Sequence, residues 1–167
     1  MENSDTGILL DKQNITLHRQ YFKDMVHLIG IQVLYKAPTT SSKQYDDYGE
    51  LNTNYTAYIR VGCIFDEHPN QWTMKKLGWN SELSTTNSII HVPYDLVDLQ
   101  AGCLFVIPSG LDKAQGRVFK VIRMSTISVY PASISCEIGP VFENELEQST
   151  LNEFTKTDFN LLKEEKR

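Results

Sequence analysis

From Thr16 onward, apolar positions recur at steps of three and four. Leu17, Tyr21, Met25 and Leu28 form one row, and Phe22, Val26 and Ile29 form a second beside it. That period predicts a helix with a broad apolar stripe that packs on something. Thr16 stands at the N-cap position and Gly30 where a C-terminal glycine stop would sit. Ile31, Val33 and Tyr35 then alternate with Gln32, Leu34 and Lys36, which predicts a strand ended by Pro38. The clearest alternation follows. Tyr55, Ala57, Ile59, Val61, Cys63 and Phe65 occupy odd positions, which predicts a long strand with one buried face.

Residues 69–77 predict a short helix, with Pro69 in its first turn and Gly78 beyond its end. Trp72, Leu77 and Trp79 would pin it to the core. Short apolar strands are predicted over Ser88–Val92, Cys103–Ile107, Arg117–Arg123, Thr126–Tyr130 and Ser133–Ile138, punctuated by Pro93, Pro108, Gly110, Pro131 and Pro140. Such a series predicts a mainly β domain, a small antiparallel barrel or sandwich carrying an N-terminal helix and a short internal helix. There is no βαβ rhythm, no glycine-rich phosphate loop and no internal repeat.

Three stretches stand outside this pattern. Residues 1–13 predict an arm, flexible or partner-bound. Residues 37–53 are rich in Thr, Ser, Asp, Asn and Tyr, and predict a long loop, either partner-binding or simply disordered. Residues 143–167 carry seven acids and few apolar residues, and predict an extended acidic tail. The organisation is thus an arm over 1–13, a helix-plus-barrel domain over 14–142 and a tail over 143–167. Tyr45 and Tyr48 in the loop, and Phe154, Phe159, Leu161 and Leu162 in the tail, are the candidate partner-binding residues. Aromatic and apolar side chains on sparse, charged segments gain most when a partner buries them. The alternative for the tail is folding back on its own domain.

Charge narrows the partners. The net charge is −5, and the densest basic run is Lys75-Lys76, which makes a poor phosphate-binding patch. Specific nucleic-acid binding is not expected. The polar start, Met1-Glu2-Asn3-Ser4-Asp5, is no secretory signal, and no apolar run reaches the length of a membrane helix. Synthesis in the cytoplasm and no membrane association are expected. Cys63, Cys103 and Cys136 are widely spaced and odd in number, each in an apolar stretch, as buried reduced thiols would be.

No residues announce chemistry. His18, His27, His68 and His91 have no partner at metal-ligand spacing. Asp46-Asp47 lacks the alternating acids of a calcium loop. Asp66-Glu67-His68 is explained by capping of the following helix. Ser109, in Pro108-Ser109-Gly110, is a turn serine rather than a nucleophile elbow. No catalytic, metal or cofactor residue is therefore assigned, and the chain is expected not to be an enzyme.

In Val97-Asp98-Leu99-Gln100-Ala101-Gly102-Cys103-Leu104-Phe105-Val106-Ile107 a polar turn and a glycine lead into an apolar strand. Gly116-Arg117-Val118-Phe119-Lys120-Val121 returns beside it, and Val129-Tyr130-Pro131-Ala132-Ser133-Ile134-Ser135-Cys136-Glu137-Ile138 supplies the next pair. Over about residues 85–142 this resembles the small neck proteins of tailed bacteriophages, the head-completion or head-closure family that joins portal to tail. The resemblance is one of style and includes no diagnostic motif. It implies a virion protein, made in the host cytoplasm, that forms a homo-oligomeric ring touching portal and tail proteins, with the genome passing through its lumen. The N-terminal helix and the acidic tail depart from the family pattern, so a tail-terminator or baseplate place stays open. The contrasting expectation is an oligonucleotide/oligosaccharide-type barrel whose Tyr45, Tyr48, Tyr55 and Tyr58 stack bases or sugars, with Lys43 and Arg60 the basic residues nearby.

Overall fold

The computed structural model describes residues 12–39, 44–45, 51–52, 55–79, 88–107, 117–125 and 132–141. Its elements are α1 (Lys12–Ile29), β1 (Ile31–Lys36), β2 (Gln44–Tyr45), β3 (Leu51–Asn52), β4 (Ile59–Asp66), α2 (Gln71–Lys76), β5 (Ser88–Pro93), β6 (Leu104–Ile107), β7 (Arg117–Met124) and β8 (Ser133–Pro140). Six strands close into an antiparallel barrel in the order β1-β4-β5-β8-β7-β6, while β2 and β3 form a separate two-stranded sheet. The mainly β barrel with an N-terminal and a short internal helix is thus the architecture that the alternation predicts. Closure removes the exposed edges that an open sheet of such short strands would present.

The described residues fall into two compact units, one drawn from the ranges 1–31, 62–97 and 124–137, the other from 32–61, 98–123 and 138–167. In the second unit β1 pairs with β6 through Leu34↔Val106, Tyr35↔Phe105 and Lys36↔Leu104, and β6 pairs with β7 through Phe105↔Phe119. Leu34 and Val106 form a buried cluster with Val118 against it. On the other face of the same strands, Tyr35 tilts against Phe105 with ring centroids 5.1 Å apart. Both faces of β6 are buried, so its sequence reads as a continuous apolar run, whereas β1 keeps Gln32 and the buried Lys36 among its apolar residues. In the first unit β4 pairs with β5 through Ile64↔His91, Phe65↔Ile90 and Asp66↔Ile89. There α2 covers Ile89 with Met74, Trp79 and Leu77.

Several expectations need correction. The first helix starts at Lys12, so Thr16 lies inside it and does not cap it; its hydroxyl donates to the Lys12 carbonyl at 2.8 Å. Gly30 does end the helix, but for a steric reason. A Cβ there would meet the Val26 carbonyl oxygen, the Cys63 carbonyl oxygen at 2.7 Å and the Val26 Cα at 2.8 Å. The long strand begins at Ile59 rather than Tyr55, which forms only an isolated bridge to Pro38. The cap of α2 is Asn70, whose Oδ1 accepts from the Thr73 N–H at 2.8 Å, so neither Asp66 nor His68 caps it. Trp72, expected in the core, is 69% exposed, and Met74 takes that role. The stretch 37–53 holds the β2–β3 pair, whose two-residue strands are too short to leave an alternation in the sequence. Gly78, just past α2, does adopt the positive φ of a helix stop, at 78°. The arm expected over 1–13 loses its last two residues to α1; its remainder, the strand expected over 126–130 and the tail over 143–167 lie outside the described residues.

Candidate assembly surface

Helix α1 is where sequence and structure part most usefully. At ~100° per residue, Asn14, Ile15, His18, Arg19, Phe22, Met25 and Val26 fall on one face, and all are half-buried. This face is seated. The Arg19 guanidinium lies 3.5 Å from the centroid of the Tyr94 ring, and Gly30 brings the helix end against the Cys63 carbonyl. Leu17, Tyr21 and Leu28 fall within about 40° of one another on the adjoining face. They are 66%, 63% and 77% exposed, and Ile29 at the helix end is 62% exposed. No α1 residue is fully buried. Of the broad apolar stripe expected to pack on something, Phe22, Met25 and Val26 are half-buried, while Leu17, Tyr21, Leu28 and Ile29 stay exposed. Other large exposed apolar side chains are Tyr58, Ile59, Trp72, Val97 and Ile122, with the Lys76 ammonium 5.0 Å from the Trp72 ring centroid. Among the described residues, only α1 carries several of them in register on one helix.

Of the sequence candidates, only Tyr45 falls among the described residues. Tyr48, Phe154, Phe159, Leu161 and Leu162 lie outside the described residues. Tyr45 is placed only as backbone, opposite Leu51. Of the other tyrosines considered for stacking, Tyr55 is half-buried and Tyr58 is 39% exposed on the approach to β4.

Two polar sites, one half-buried and one buried, escaped sequence reasoning. His91 Nδ1 and Ser135 Oγ are 2.8 Å apart, bridging β5 and β8 across 44 residues of sequence. Burial lowers the His91 pKa, and the negative charge of Asp66 raises it in part. Asp66 Oδ1 itself accepts from the His68 N–H at 3.2 Å. In a serine-nucleophile relay, serine and carboxylate occupy opposite nitrogens of the imidazole. Here serine takes Nδ1 and Asp66 acts at a distance, so the pair works as a cross-strand link. The second site is the Cys103 sulfur. It lies 3.3 Å from the Tyr35 hydroxyl, accepts from the Gln100 N–H at 3.3 Å and donates to the Asp98 carbonyl at 3.5 Å. That network ties the positive-φ turn at Asp98 and Gly102 to the barrel wall.

Cys63, Cys103 and Cys136 are free and buried, as their apolar settings predict. Burial pushes the Cys63 thiol up to about 12, so it carries no nucleophilic thiolate at neutral pH. Lys36, on β1, is buried too, and burial lowers its pKa. No group of three or more His, Cys, Asp or Glu side chains converges as a metal site among the described residues. No described helix is long and apolar enough to cross a membrane.

No protein-family model matches the sequence, and no curated protein matches it. Among solved structures, the chain is similar to the solution structure of a Shigella flexneri 2a protein determined as a structural genomics target. The identity is 14% and the TM-score 0.44, over 68% of this chain and 93% of that one. A likeness that faint carries no argument about function.

Proposed function

We propose that this chain is a structural assembly subunit, not an enzyme. In this reading it is a barrel that packs between copies of itself and neighbouring virion proteins in the neck of a tailed phage, between portal and tail. The observation that carries the reading is the exposed apolar row Leu17, Tyr21 and Leu28 on a helix already anchored by its other face. A helix that covers its own barrel needs one apolar face; a second, left in water, fits a surface built to be covered. The barrel architecture and the buried, unreactive thiols are compatible with it. The α1 row supplies a contact between copies, and closing a ring further requires two different patches that meet between neighbours.

Native mass spectrometry over a range of protein concentrations, with negative-stain imaging of the species found, tests this reading. A closed ring of a single stoichiometry is expected. A chain that stays monomeric throughout, and turns over or binds a small ligand instead, overturns it.

The second reading, an oligonucleotide-type binding barrel, draws on Tyr58 and Arg60, both exposed and two residues apart. A fluorescence titration with single-stranded DNA at low salt separates the two. Saturable binding that weakens with salt favours the binding module, and a flat titration removes it.

A further inference from the structure

We infer that α1 is a self-complementary seam through which two copies of this chain pair antiparallel about a two-fold axis. The inference rests on the assembly reading and gives its surface one occupant. Leu17, Tyr21, Asp24 and Leu28 stand at steps of four, three and four, the spacing that keeps one seam of a helix facing a partner helix. Laid antiparallel on itself about the midpoint of this row, the helix sets Leu17 opposite Leu28 and Tyr21 opposite Asp24.

The polar member of the row selects this arrangement. Asp24 is the acid within an otherwise apolar row, and a parallel pairing would place it against the same acid of the second copy. Antiparallel pairing gives its carboxylate the phenol O–H of the other copy's Tyr21. Gln20 Nε2 of the same helix already donates to Asp24 Oδ1 at 2.9 Å, which holds the carboxylate in place. Each two-fold contact is made twice, so the seam carries two leucine pairs and two Tyr–Asp hydrogen bonds.

The exposed area suits a pair that forms and parts with concentration. Leu17, Tyr21 and Leu28 are about two-thirds or more exposed, and Ile29 adds to them at the helix end. Together they offer on the order of 1,000 Å² over two copies, the lower bound for a specific interface. A two-fold seam closes on itself, so it joins copies in pairs; closing a ring requires the other, heterologous patch.

The test is cross-linking of variants with one added surface cysteine, using a short bifunctional maleimide under native conditions, where the three native thiols are buried. A mixture of Leu17→Cys and Leu28→Cys copies is expected to give a cross-linked pair, while Leu17→Cys alone gives none. Cross-linking of Leu17→Cys to itself, or no cross-link in the mixture, overturns the inference. Sedimentation velocity supplies the second readout. Leu28→Glu is expected to weaken the dimer by on the order of 100-fold, because symmetry places the change twice at the contact. An unchanged dimer in a folded Leu28→Glu chain contradicts the seam. Rings without the Leu17–Leu28 cross-link leave the assembly reading standing and remove this inference. Dimers with the cross-link but without rings do the reverse.

Discussion

Gly30 joins α1 to β1, and replacing it with alanine should loosen the seat of that helix. An added Cβ would lie 2.7 Å from the Cys63 carbonyl oxygen and 2.8 Å from the Val26 Cα, and closer still to the Val26 carbonyl oxygen. All three neighbours are backbone. Val26 belongs to α1, where its carbonyl accepts from the Gly30 N–H at 2.8 Å, and Cys63 belongs to β4. Restoring ordinary contact means moving a helix end and a barrel strand apart by more than half an ångström. Overpacking of this kind costs about 1–3 kcal/mol, and with no flexible side chain to yield, the upper end applies. Alanine also narrows the unfolded ensemble, which returns about 0.4–1 kcal/mol. Gly30→Ala should therefore destabilise by about 2–3 kcal/mol, a fall in Tm of roughly 5–10 °C for a chain of this size. Gly102→Ala is the control. Its Cβ would meet nothing within 4 Å, but its φ of +92° disfavours alanine, so the loss should be smaller, about 1–2 kcal/mol. Urea unfolding of both variants measures the difference. A Gly30→Ala protein within about 0.5 kcal/mol of wild type, or less affected than Gly102→Ala, refutes the steric account.

Other outcomes follow from the same contacts. Asn70→Ala removes the acceptor for both the Thr73 N–H and hydroxyl and should cost about 1 kcal/mol in urea unfolding, whereas Asn70→Asp should retain most of it. His91 has a folded pKa below its unfolded value of about 6.5, so its contribution is present above that pH. It is lost as pH falls from there through the folded value, because the unfolded chain then binds the extra proton. The urea midpoint should drop between pH 8 and pH 5, and His91→Gln should reduce the drop; an equal drop in the variant assigns the effect to other groups. The Cys63 thiol, buried and pushed up to about 12, should resist iodoacetamide at pH 8 until the chain unfolds. Labelling of Cys63 in the native state at the rate of the unfolded chain would contradict its burial.

The fold was legible where one periodicity meets one environment. Val61 and Cys63 alternate with half-buried neighbours along β4, and Leu104–Ile107 is apolar because both its faces are covered. Gly78 marked the end of α2 through a conformation that glycine favours. Legibility failed where periodicity has two solutions. The α1 sequence carries two adjoining apolar rows, and nothing in it says which one meets the chain's own barrel. Only the half-burial of Phe22 and Val26 against the exposure of Leu17, Tyr21 and Leu28 does so. Trp72 misled for a related reason: its size suggests a core residue, but the helix turns Met74 inward and leaves the indole beside Lys76. The His91–Ser135 link could not be read at all, because barrel closure brings together residues with no local relation.

The most direct test of the central claim is amide hydrogen exchange in α1 as protein concentration rises from about 1 to 100 μM, the span of about 8 to 5 kcal/mol of association free energy. The account predicts that peptides covering Lys12–Ile29 become more protected with concentration, while β6, buried throughout in the single chain, does not change. Exchange in α1 that is the same at every concentration would mean that its exposed row meets no second chain, and would contradict the account.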